Sequence, residues 1–160
     1  MKFSDEMAPG DCIEIGSYHF TADEIREFAN AYDPQPFHVD EEAARNSAFG
    51  GLCASGWHTM SAWMRTFYDH YLREKAANDA TGRPTPQTGP SPGFRDLKWL
   101  RPVYAGETID FRSTVVEVRH SASRPQWGIV RMHHEGFNPS GDKVMEFTST
   151  YFLEWRDRAN

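Results

Sequence analysis

The chain has 160 residues, with 17 Lys and Arg against 23 Asp and Glu, and a formal charge of −6. Hydrophobic residues make up 39% and aromatics 14%, too apolar for a disordered chain, and the length is a prior for one domain over 1–160. The acidic balance argues against general nucleic-acid binding, which needs a basic footprint, and no apolar run approaches the ~20 residues that span a bilayer.

Met1–Gly10 lacks a basic region followed by an apolar stretch, so a cytoplasmic location is expected. Cys12 and Cys53 show no paired spacing, which argues against a disulfide framework or zinc knuckle. Met7–Asp11 reads as a turn and Cys12–Phe20 as a strand with Ile13 and Ile15 on one face. Thr21 and Glu24 match a capping box. Ile25, Phe28, Ala29 and Tyr32 then recur as one apolar helix face, ended by Pro34. Asp40–Ala44 reads as a short helix. The longest helix starts near Ser55–Gly56 with Trp57, Met60, Met64, Phe67, Tyr68 and Tyr71 on one stripe, which predicts a buried central helix. Asn78–Gly93 carries four prolines and reads as a loop inside the domain.

From Phe94 the pattern is β. Leu97 and Trp99 alternate with Asp96 and Lys98. Thr108–Arg119 shifts phase at Val116, which predicts a bulge. Trp127–Glu135 and Lys143–Trp155 flank the turn cluster Asn138–Gly141 and read as a hairpin. His133 and His134 would then point to opposite sheet faces, a structural or solvated pair, with no metal site expected. Strand, helices, one long helix and three or four antiparallel strands is an α+β order.

Two stretches carry chemistry. In Asp33-Pro-Gln-Pro-Phe-His38 the prolines predict an extended, stiff segment presenting a carboxylate and an imidazole. Such a pair can hold one water and exchange its protons near neutral pH. Taken alone, it also reads as a helix-ending Asp and a surface His. In Phe49-Gly-Gly-Leu-Cys-Ala-Ser-Gly56 glycines run into a helix start, where free backbone N–H groups could face an oxyanion. Taken alone, they also read as a plain turn into the core.

Together, Asp33-x-x-Pro-x-His38-x-Asp40, Phe-Gly-Gly and Ala54-Ser-Gly56 resemble the MaoC-like (R)-specific enoyl-CoA hydratase motif. Leu97-x-Trp-Leu-Arg-Pro-Val-x-x-Gly106-Glu-Thr and the closing strands extend the resemblance over most of Pro9–Trp155. It implies a hot-dog fold, an antiparallel sheet wrapped around one long central helix, and a dimer with sites at its interface. The implied reaction is syn addition of water to an enoyl thioester, or its reverse, without a cofactor or metal. The implied substrate is acyl-CoA or an acyl-carrier thioester, with no nucleic-acid or membrane partner. Carried over, the resemblance implies Asp33 as the base, His38 as the acid, and the Gly56 N–H as the group that holds the thioester oxygen.

Two positions depart from the motif. Gln35 replaces an Asn, and Ser55 replaces the His before the helix glycine, with a histidine instead at His58. Gln35, Ser55, His58 and Ser61 are candidate pocket-lining residues, and Arg95, Lys98 and Arg101 are candidates for the CoA phosphates. An alternative keeps the fold as an acyl-thioester-binding subunit without the reaction. A thioesterase ranks last, because Trp57–Met64 offers no carboxylate in the first helical turns.

Overall fold

The computed structural model describes residues 1–156; the last four residues of the domain expected over 1–160 lie outside the described residues. A turn of 3-10 helix, Ser4–Glu6, precedes β1, Cys12–His19. The helix α1, Ala22–Tyr32, begins at the expected capping box, with Thr21 accepting from the Glu24 N–H while Glu24 reaches back to the Thr21 N–H. Ile25 and Ala29 are buried, but Tyr32 is 77% exposed, a correction to the four-residue buried face. It sits in the final turn, where the helix leaves the core.

The proline segment is not extended throughout. Pro36–Val39 forms one helical turn, α2, with Pro36 at its first position, where a missing N–H costs no intrahelical bond. The short helix α3, Glu41–Arg45, follows, capped by the Asp40 side chain. The long helix α4 runs Gly56–Thr81, past the expected end near Asn78, and stops at Gly82 in the left-handed conformation.

Five antiparallel strands form one sheet in the order β1-β3-β4-β5-β2, with β2 Gly93–Trp99, β3 Thr108–His120, β4 Trp127–Phe137 and β5 Lys143–Glu154. The expected bulge lies between Val115 and Glu117. A second bulge in β2, between Arg95 and Lys98, carries Asp96 at φ 58°. The Pro-rich segment begins later than expected and then follows β5: Gly89 N–H donates to Phe152 O at 2.8 Å and Glu154 N–H to Gln87 O at 2.9 Å. The sheet packs on α4, so the α+β hot-dog architecture is present.

The buried face of α4 differs from the expected stripe. Trp57, Met64 and Tyr68 are 53%, 56% and 53% exposed, while His58, Thr59, Ala62, Trp63 and Thr66 are buried. Close approach explains the small residues. Gly16 of β1 has φ 125°, and a Cβ there would lie 3.2 Å from Thr66 Cγ2. Thr66 Oγ1 donates to the Ala62 carbonyl at 2.8 Å, which leaves its methyl for packing. Larger groups fill the space further along, where Trp63 sits 4.5 Å from the His134 ring and 4.6 Å from Phe147. Among the described residues, no helix is long and apolar enough to cross a membrane.

Candidate active site

The cleft forms where three helix ends meet. Asp33 caps the C-terminus of α1, His38 lies in the single turn of α2, and Ser55 caps the N-terminus of α4. The approach to α4 is anchored by Ala54 N–H donating to Val103 O at 2.8 Å and Ala105 N–H to Leu52 O at 3.0 Å. That anchoring fixes the Cys53 carbonyl, which accepts from His38 Nδ1 at 2.6 Å. A carbonyl can only accept, so Nδ1 carries the hydrogen and Nε2 is the ring atom turned to the cleft. Nε2 stands 3.6 Å from Asp33 Oδ2.

Both Asp33 oxygens are held. Ser55 Oγ donates to Oδ2 at 2.6 Å and Gln35 Nε2 donates to Oδ1 at 2.9 Å. The Ser55 bond, with those from Gln35 and the His38 charge, lowers the Asp33 pKa against the opposing effect of burial. The two departures from the motif are therefore direct partners of this carboxylate. Cys53, with its thiol pushed up to about 11 by burial, is a poor nucleophile.

The cleft has a volume of about 650 Å³ and contains Asp33, Gln35, His38, Ser55 and Gly56. His58 and Ser61 are not among its lining residues. His58 is stacked on Phe28, with ring centroids 4.7 Å apart, and edge-on to Phe20. Burial there lowers its pKa, with Glu24 opposing. Ser61 Oγ instead donates to the Trp57 carbonyl at 2.9 Å and is exposed. Of the three candidate cations, Arg101 lines the cleft, its guanidinium 3.4 Å from Asp142 Oδ1. Lys98 is bound to Glu146 at 2.8 Å, and Arg95 lies 3.5 Å from its neighbour Asp96.

Sequence reasoning passes over Tyr32, Trp57 and Trp99 as site residues, although all three line this cleft. Trp99 lies within the matched motif, but its contact with Gly56, 43 positions away, leaves no one-dimensional signal. A Cβ on Gly56 would collide with the Trp99 indole, 2.6 Å from Cδ2 and 2.7 Å from Nε1. The glycine is required by this close approach.

His133, Glu135 and Glu146 come together on the other sheet face in a spacing that could hold a cation. Lys143 occupies that space, 2.5 Å from Glu135 Oε1 and 3.0 Å from Glu146 Oε2. Lys98, then Lys143, pull the Glu146 pKa down to about 2. The cluster is a salt-bridge network already carrying its own cations.

The family model for the MaoC-like domain matches residues 6–136. This chain belongs to the MaoC-like domain family. The MaoC-like chain is 28% identical over 143 residues to the uncharacterized protein YdeM of Bacillus subtilis, covering 89% of this chain and 92% of that one. It is 28% identical over 67 residues to a mesaconyl-CoA hydratase of Cereibacter sphaeroides, covering 42% of this chain but only 19% of the relative. The crystal structure of a MaoC-like dehydratase from Rhodospirillum rubrum superposes with a TM-score of 0.79 at 33% identity, covering 98% of this chain and 99% of the other. The site thus lies in a fold shared with a MaoC-like dehydratase.

Proposed function

We propose that this protein is a hydro-lyase that adds water to an enoyl thioester, giving an (R)-3-hydroxyacyl thioester, or removes it in reverse. The observation that carries this reading is the Asp33 carboxylate 3.6 Å from His38 Nε2, in a cleft that also holds the first residue of a 26-residue helix. Water bound between the two groups gives its oxygen to C3 as its proton passes to Asp33. His38, in its protonated form, delivers a proton to C2 on the same face, so addition is syn. Proton transfer from Asp33 to His38 then restores the pair. A lowered Asp33 pKa supplies the ionised form that the base needs at neutral pH.

The Gly56 N–H, with no preceding turn of α4 to accept it, would bind the thioester oxygen as negative charge builds on the enolate. Arg101 at the cleft supports a CoA-linked substrate, since its guanidinium can meet a phosphate. The relationship to a mesaconyl-CoA hydratase supports the same reading. Exposed Trp57, Met64, Tyr68 and Leu72 run along α4 toward Phe94, Trp99 and Leu100 on and just after the edge strand β2. A homodimer would cover this apolar surface.

The test is loss of the conjugated enoyl absorbance with crotonyl-CoA and with branched and aromatic enoyl-CoAs. Asp33→Asn and His38→Ala should each lower kcat by roughly 10²–10⁴-fold with unchanged circular dichroism. Wild-type inactivity throughout would refute hydration and favour a binding subunit. Release of free thiol would indicate hydrolysis.

A further inference from the structure

We propose that Trp99 supplies the second hydrogen-bond donor to the thioester oxygen, its indole N–H acting beside the backbone N–H of Gly56. This assignment rests on the hydratase reading for its catalytic consequence, though the contact itself is testable by binding. A thioester oxygen becoming an enolate oxygen gains charge on two lone pairs, and stabilisation comes from donors already aimed at that position. Near the start of α4, two backbone N–H groups are engaged by Ser55: Trp57 N–H donates to Ser55 Oγ at 3.3 Å, and Thr59 N–H to the Ser55 carbonyl at 3.1 Å. The Trp57 N–H is thus taken, and the side chain packed on Gly56 is the place to look for a second donor.

Trp99 is the side chain in contact with Gly56. Its Nε1 stands 2.7 Å from where a Cβ on Gly56 would lie. Trp57 meets the same indole edge-on, with ring centroids 5.3 Å apart. Trp99 lines the cleft shared by Asp33, His38 and Gly56, and it is 45% exposed. Among the described residues, no acceptor takes its N–H, which leaves a donor at the cleft wall.

The backbone of β2 is built to bring it there. Phe94, though half exposed, lies on the same sheet face as buried Phe147, 6.0 Å from that ring, and Leu97 packs on the core. In a regular strand Phe94 and Trp99, five positions apart, would face opposite sides. The extra residue between Arg95 and Lys98, with Asp96 at φ 58°, resets the alternation and turns Trp99 toward Gly56. Lys98 is left on the opposite face, bound to Glu146.

Replacing Trp99 with 3-benzothienylalanine keeps the ring shape and exchanges the N–H for sulfur. With crotonyl-CoA, kcat should fall by about 10²-fold while KM changes little, and Trp99→Phe should follow the same direction. In parallel, the indole ¹⁵N–¹H signals are recorded with and without acetoacetyl-CoA, the Trp99 signal being assigned by its absence in Trp99→Phe. That signal should move downfield in the proton dimension on binding. Wild-type hydration with full kcat in the benzothienyl variant and an unmoved Trp99 signal would overturn the donor assignment alone. Failure of the wild type to hydrate any enoyl-CoA would overturn the hydratase reading, and the indole shift would still decide whether Trp99 meets the thioester.

Discussion

His134 offers a stability test that does not depend on the reaction. Its ring is fully buried under α4, with Nδ1 2.7 Å from Ser113 Oγ and Nε2 2.8 Å from Ser149 Oγ. Burial, with a smaller contribution from the His133 charge, pushes its pKa down to about 3. Above pH 6.5 the ring is neutral in both folded and unfolded chains, so it adds no pH dependence. Below pH 6.5 the unfolded chain takes up a proton that the fold refuses, and stability falls until the folded pKa is reached. At about 1.4 kcal/mol per pH unit, acidification from pH 7.5 to 5 costs roughly 2 kcal/mol through this ring. That is a large part of a typical stability of about 5–15 kcal/mol. Urea unfolding at both pH values, in the wild type and in His134→Gln, isolates the effect because other titrating groups occur in both chains. The urea midpoint of the wild type should drop by roughly 1 M more than that of the variant for a slope near 2 kcal/mol/M. Equal pH dependence in the two proteins, with two-state unfolding in each, would refute the reasoning.

Ser55→Ala removes the shortest donor to Asp33, so the carboxylate pKa should rise and the acid limb of the kcat/KM profile should move to higher pH. An unchanged limb in an active, folded variant would contradict that role; loss of the cap should also cost about 1 kcal/mol in urea unfolding. Met64→Glu with Tyr68→Glu places charge on an exposed apolar helix face. Light scattering should show a wild-type dimer and a folded monomeric variant, and a monomeric wild type would contradict the dimer proposal.

Local chemistry made much of this fold legible. The Thr21–Glu24 cap, the Val116 phase shift and the Asn138–Gly141 turn each depend on neighbouring residues, and all are present. The site was legible as a pair of stretches, because Asp33, His38 and Ser55 lie at successive helix ends. The buried side of α4 was not, because hydrophobicity alone does not decide which helix face is buried. A close helix–sheet approach at Gly16 instead calls for Thr66, while larger apolar residues lie outside. Pro36 likewise obeyed its own backbone restriction and still opened a helical turn. Trp99 stayed hidden because a bulge, set by one left-handed residue, decides which way a whole strand end faces.

The segment before β2 has a consequence for how this sheet can grow. Gln87–Pro92 lies against the far end of β5, where Thr88 bridges Leu153 and Ser91 Oγ reaches the Thr150 carbonyl. Within it, Pro90 and Pro92 withhold two amide hydrogens from any strand arriving outside. On this side, a growing ladder would find regular pairing only along Gly93–Trp99. A short landing strip of this kind suits one matched strand and is inhospitable to indefinite stacking.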